Sequence, residues 1–545
     1  MLGKRPWKVA AVPAAILLLA AGCSGGSDDD AGGSGNTVSI GIAEPKHLIP
    51  ANTTESSGSQ VLSSLFYPLV SFNEQKQPVE KAAESITSDD NKVWTIKLKP
   101  GFTFSNGEPV TSDSYINAWN NGAYGPNGND GAAFFERVAG YADLQSKDPD
   151  GEEGPEKAPE PKAKTMSGLK KVDDTTFTVT LSAPFAGWKS VLAYTVFYPL
   201  PNAAFSSPGV LNEQFEQAPI GNGPFKIVGK WEHDQSVTVA KVEGFKGDPV
   251  KVDGITWKIY QDQTAEYADL VAGNVDVQTL IPIESLGSAA GDLGDRLKKT
   301  PSSDFAFVGF PTYQKEFSKP EVRRALSMAI NRKEMTDQIF LGSQTPATSF
   351  VSPVVAGYRE NTCGDNCVYD AAKAKELYTA NGGPAEIKIT YNADGGHKAW
   401  VDAMCNQIKA SLGVNCTGQG EPKFADLLTK VENKQPVGLI RMGWIMDYPL
   451  MENYLGPIFS TTGSSNYYGY SNPAFDSLVK QGSEAATPEA AIKKWQEAED
   501  ILAKDMPVIP LRFGQNTYGF SERVQNVDVD LFKKVDIYKI ERVAS

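Results

Sequence analysis

Histidine is nearly absent from this chain: three in 545 residues, at His47, His233 and His397, none near another. Acid–base chemistry would have to rest on carboxylates, and imidazole-built metal sites are disfavoured. There is no G-x-S-x-G, no H-E-x-x-H and no P-loop. Gly221-Asn222-Gly223-Pro224 is Gly-rich but lacks the Lys-Ser/Thr that phosphate binding needs. Residues 125–136 imitate a calcium loop, yet Gly125 stands at the first acidic ligand and Asp130 at the obligatory glycine. The expectation is a protein without catalytic residues, metal or cofactor. Basic residues are scarce too, 52 against 66 acids, for a net charge of −14, so nucleic acid should be repelled. Beyond the first 22 residues no apolar run reaches the roughly 18 residues that a membrane helix requires.

The first 22 residues read differently. Lys4, Arg5 and Lys8 form a basic head, an apolar run follows to Leu19, and Ala20-Ala21-Gly22 precedes Cys23. This is the pattern of an export signal, too short to remain as a spanning helix. The small residues before Cys23 resemble a bacterial lipobox, with Leu19 one place early. Residues 1–22 are then a lipoprotein signal, Cys23 carries a lipid, and the folded body sits on the extracytoplasmic face of the cell membrane. The other reading is ordinary secretory cleavage nearby, with Cys23 incidental. Residues 23–36, rich in Gly, Ser and Asp, form a flexible tether. Without the three signal cations the net charge falls to −17.

Four cysteines remain, Cys363, Cys367, Cys405 and Cys416. An even number in an exported chain favours disulfides over zinc. Three connectivities are open. Local pairing, Cys363–Cys367 and Cys405–Cys416, is expected because the four lie so close in sequence.

About 520 residues after cleavage exceed what one core supports, so two lobes or more are expected. Alternating apolar residues predict strands at 37–45, 93–98 and 176–181, with a helix over 60–66 and an extended piece at 69–72. Segment 147–164 is almost wholly Pro, Gly, Lys and acid, and reads as a solvated insertion. After 315, helices and strands alternate. Helices are predicted over 320–339, 370–378, 398–412 and 424–431, and from Thr487-Pro488. Strands are predicted at 387–391, from 414, and at 437–444. The β-α-β-α-β run predicts an α/β lobe with a largely parallel sheet.

Several segments, in order, resemble the peptide-binding branch of the solute receptors that feed ABC importers. Trp94, Leu98, Gly101, Phe104-Ser105-Asn106-Gly107 and Pro109-Val110-Thr111 match W-x-x-x-L-x-x-G-x-x-F-S-[DN]-G-x-P-V-T. Leu65-Phe66-Tyr67-Pro68 looks like the family's early helix end, and Gly221-Asn222-Gly223-Pro224-Phe225 like its G-[TN]-G-P-[YF] element. Val322-Arg323, Ala325-Leu326, Ala329-Ile330 and Arg332 resemble V-R-x-A-L-x-x-A-I-x-R. Tyr369-Asp370 with Ala374-Lys375 and Leu377 resembles the helix start after it, with Ala371 where proline is usual. The resemblance implies a two-lobed α/β clamshell. Residues 37–305 form the first lobe, with an extra subdomain at about 67–185. Residues 306–507 form the second lobe, and 508–545 return to the first. It implies a monomeric receptor for oligopeptides or dipeptides that closes on its guest and serves a permease, with the lipid as its only membrane contact. The alternatives are the same fold with a non-peptide ligand (a metal chelate or an oligosaccharide) and a secreted hydrolase working through carboxylates.

The residues for that role follow from the same likeness. Arg441-Met442-Gly443-Trp444-Ile445-Met446-Asp447-Tyr448 resembles R-x-G-W-x-x-D-Y. By analogy Asp447 holds the peptide's α-ammonium and Trp444 lines the pocket. Arg441 answers the carboxylate end or makes an ion pair inside its lobe. Thr54, Glu55 and Ser56 offer backbone. Phe513 stacks on the peptide or fills a core, and Asn222 touches ligand or shapes its glycine turn. Without a ligand, Asp447 would be a turn residue before Tyr448-Pro449.

Overall fold

The computed structural model describes residues 35–146, 158–393, 396–422, 424–435 and 437–543. The export signal, Cys23 and the tether up to residue 34 lie outside the described residues, as do positions 147–157 of the charged insertion. No helix among the described residues is long and apolar enough to cross a membrane.

Strand Thr37–Ile42 alternates apolar and polar residues and buries Val38, Ile40 and Ile42. It pairs in parallel with Gly254–Ile259 and with Val277–Gln278. From there one large mixed sheet continues through Val508–Phe520, Leu297–Gly309 and Leu439–Trp444 to Glu386–Asn392 and Asn415–Glu421. Two 13-residue strands, Leu297–Gly309 and Val508–Phe520, run antiparallel in its middle. Their register breaks between Pro301 and Phe305. One hydrophobic core gathers side chains from 38–259 and 518–540, and further cores gather residues of 305–513. A separate antiparallel sheet is built from Ala83–Thr87, Val93–Leu98, Thr176–Thr180 and Leu169–Asp173. Trp119, fully buried, packs edge-on against Phe177 of that sheet.

After 315 the order of elements follows the hydrophobic pattern, with two corrections. The helix expected over 320–339 is two, Pro320–Met328 and Arg332–Gln338. Asn331 breaks it by capping the second, its side chain accepting from the Glu334 N–H at 3.1 Å. Arg332 then turns inward and donates to Ser327 and to the carbonyls of Cys367 and Pro510. The sheet is also less parallel than expected. Strand Glu386–Asn392 is parallel to both Asn415–Glu421 and Leu439–Trp444, but Leu439–Trp444 meets Leu297–Gly309 antiparallel. The structure joins Cys363 to Cys367 and Cys405 to Cys416; the second bridge ties helix Lys398–Leu412 to the strand after it.

Contacts also link the sequence-distant segments. Arg137 lies 4.1 Å over the Phe185 ring and donates to Glu452 at 2.9 Å. Glu452, nearly buried, also accepts from the Tyr448 hydroxyl at 2.7 Å. Tyr448 inserts into the core of the 38–259 segment, although its chain neighbours belong to the other cores.

Candidate ligand-binding cavity

Helix Ser56–Leu65 begins at Glu55, whose carboxylate accepts from the N–H groups of Ser57 at 2.6 Å and Gly58 at 2.8 Å. Capping of this kind satisfies amides that otherwise have no partner. It also fixes Thr54, Glu55 and Ser56 in the wall of a cavity of about 750 Å³, a size within the roughly 300–1,000 Å³ usual for small-molecule sites. The same helix supplies Ser59 and Ser63 to that wall, and its end supplies Tyr67. The helix stops at Phe66, and Pro68 cannot continue it.

Asn222 is buried and belongs to the support of this wall. Its Oδ1 accepts from the Tyr67 N–H at 3.0 Å and its Nδ2 donates to the Tyr67 carbonyl at 3.3 Å. The flanking Gly221 packs so tightly on Leu65 that any side chain would strike the Leu65 carbonyl. Asn222 therefore shapes the turn and positions Tyr67, and does not itself line the cavity.

From the other segment, Ile445, Met446 and Asp447 enter the wall directly after strand Leu439–Trp444. Asp447 is half-buried. Burial pushes its carboxyl up, the hydrogen bond from Asn453 pulls it down, and the charge of Glu452 adds to the rise. Asn453 binds it at two points. Its Nδ2 donates to Asp447 Oδ2 at 3.1 Å, and its Oδ1 accepts from the Asp447 N–H at 2.8 Å. The same Oδ1 accepts from the Trp444 indole at 3.2 Å. No cation pairs with Asp447 among the described residues. Tyr194, from the 38–259 segment, lies near enough to Asp447 and Glu55 for both charges to raise its pKa, burial being the larger cause. Its ring stacks on Phe134 at 4.3 Å.

The cavity thus brings together Asp447, Thr54, Glu55 and Ser56 of the sequence-derived set. It does not gather the others. Trp444 stands one hydrogen bond behind Asp447 and is not part of the wall. Arg441, on the same strand, donates to Asn392 at 3.2 Å and lies 6.0 Å from the Phe424 ring, away from the cavity. Phe513 takes the second of its two expected places, in the core and not on the cavity. It is 2% exposed and packs against Phe305 and Tyr358, at 5.7 and 6.2 Å, because its strand turns it into the core. Sequence reading misses Asn453, Tyr194 and the loop 528–539, which lines much of the wall. Only the density of charges in that loop, six in twelve residues, gives a signal.

An α/β body with separate cores and a cavity of this size, walled from distant segments, is the build of a solute-binding protein. The chain belongs to the bacterial extracellular solute-binding proteins, family 5, whose middle region matches residues 77–466. It is 27% identical over 509 residues to the oligopeptide-binding protein OppA of Bacillus subtilis (strain 168), covering 90% of each chain. It is 25% identical to the periplasmic murein peptide-binding protein MppA of Escherichia coli (strain K12), covering 86% of each. The fold matches the unliganded open form of MppA with a TM-score of 0.78 at 22% identity, over 94% of this chain and 98% of that one. It matches OppA of Haemophilus influenzae in complex with RPPGFSPFR with a TM-score of 0.68 at 20% identity, over 94% and 100%. The two-lobed α/β fold expected from sequence is the fold of this family.

Proposed function

We propose that this protein is an extracytoplasmic receptor for peptides, held to the membrane by a lipid on Cys23, that closes on its guest and passes it to the permease of an ABC importer. Asp447 carries this reading. It is a carboxylate in a cavity wall, partly stripped of water, aimed by Asn453 and, among the described residues, without a cation of its own. The amino end of a peptide is a cation that completes it, and charge-assisted hydrogen bonds of this kind are among the stronger ones. Peptide relatives of similar length support the choice of guest. Main-chain hydrogen bonds along Thr54, Glu55 and Ser56 would add affinity without reading side chains.

The test is calorimetry with the mature protein. Peptides with free amino ends bind the natural protein, and N-acetylation weakens them by about two to three decades. Asp447→Asn weakens the free peptides to the same degree and makes acetylation immaterial. Acetylated and free peptides binding the natural protein alike would sink the proposal.

A further inference from the structure

Asp447 is not the only side chain that the end of its strand brings to the cavity. Ile445, two residues earlier, is 56% exposed although it belongs to the wall. The wall's other large aliphatic side chains, Val70, Met446, Leu531, Val535 and Ile537, are buried. Phe72 and Phe532 cover each other in part, their rings 6.3 Å apart. A single apolar side chain on an outer surface needs no explanation, but one left uncovered in a binding cavity is contact surface for what the cavity holds.

The chain around Ile445 is held from both sides. Trp444 pairs with Phe305 at the end of its strand, and its indole donates to Asn453 Oδ1 at 3.2 Å. The Asp447 N–H donates to the same oxygen at 2.8 Å. Met446, between them, is buried in a core. Exposed, buried, half-buried over 445–447 is the alternation of an extended chain, in which side chains two apart share a side and stand about 7 Å from each other. With Met446 anchored inside, Ile445 stays on the side of Asp447. The first two residues of an extended peptide also span about 7 Å. A guest whose ammonium meets Asp447 therefore carries its first two side chains within reach of Ile445.

We propose that Ile445 packs against an apolar side chain at the first or second residue of the bound peptide, so that the receptor selects for apolar character at the amino end of its guest. This rests on the peptide reading of the same cavity.

Four tripeptides with free amino ends separate the two positions: Leu-Gly-Gly and Gly-Leu-Gly, and their counterparts Asn-Gly-Gly and Gly-Asn-Gly. Asparagine keeps much of leucine's shape without its apolar surface. Each peptide is titrated by calorimetry against the natural protein, Ile445→Ala and Ile445→Leu. Burial of a leucine side chain predicts that the natural protein prefers leucine over asparagine by about 10- to 100-fold at one position, and that Ile445→Ala cuts this preference to about threefold or less. The asparagine peptides bind Ile445→Ala as they bind the natural protein, and Ile445→Leu keeps most of the preference. A preference at the first position identifies the first residue as the source of the contact, and one at the second identifies the second. The same preference in the natural protein and Ile445→Ala overturns the proposal, and so does equal binding of leucine and asparagine peptides by the natural protein. Weakening of all four peptides alike in Ile445→Ala overturns it too, since that marks a merely structural role. A natural protein that binds none of the four overturns the peptide reading with it. Melting curves confirm that each variant is folded.

Discussion

A carboxylate in a half-buried wall is useful only while its direction is fixed, and at Asp447 one side chain does the fixing. Asn453 uses both ends of its amide on the residues that the R-x-G-W-x-x-D-Y string picks out. Asn453→Ala removes three hydrogen bonds at once and leaves a buried N–H without an acceptor. It should destabilise the protein by about 1–3 kcal/mol and weaken amine-bearing peptides about tenfold. Urea unfolding and calorimetry check this, and amine-blocked peptides should show no further loss. Asp447 and Trp444 are legible in sequence because they belong to one short string. Asn453 is not, since nothing local separates a wall-supporting asparagine from an ordinary one at a helix start. Phe513 shows the converse: an aromatic near a lobe crossing is ambiguous until the strand's facing is known.

Elements impose their own constraints. Helix Gln263–Ala272 packs onto strand Thr37–Ile42 so closely that a side chain at Gly41 would collide with the Glu266 carboxyl. Burial pushes that carboxyl up to about 8, against a hydrogen bond from Gln278. The folded state thus holds the proton more tightly than the unfolded chain does. The associated stability is complete below the unfolded value of 4.5, falls as pH rises, and is gone above about 8. By pH 7 the loss is on the order of 3 kcal/mol. Glu266→Gln should flatten this slope and be the more stable protein at pH 8, as denaturant midpoints at pH 5 and 8 would show. The elements themselves are largely legible: Asp370 and Thr487 cap the helices that the pattern predicts, accepting from Lys373 and Ala490. The split at Asn331 is not, because the apolar face runs on through the break, and only the inward turn of Arg332 among backbone carbonyls makes the interruption favourable.

At the scale of the whole molecule, the Arg137–Glu452–Tyr448 contact joins the segment before residue 260 to the one after 305. Glu452 is the buried partner and Arg137 the more exposed. Arg137→Met therefore leaves a buried acid without its counter-charge, at a contact between the two segments. We expect peptide affinity to fall about 30-fold or more. In small-angle scattering, saturating peptide should contract the variant less than the natural protein. Equal contraction and equal affinity would show that the ion pair plays no part in closure. The family and its two-lobed plan are legible in sequence because several spaced motifs occur in order. The cavity's far wall is not, because loop 528–539 joins it only through the return of the chain's end.

The register break between Pro301 and Phe305 leaves the two long central strands with an unpaired stretch between them. Ser303 lies in that stretch, borders the cavity and receives the Tyr454 hydroxyl on its carbonyl at 2.6 Å. If the receptor closes as proposed, this loosened stretch is where the long strands would bend, and a guest touching Ser303 would lean on that bend; changes at 302–304 would then alter the tempo of capture and release more than the strength of the hold.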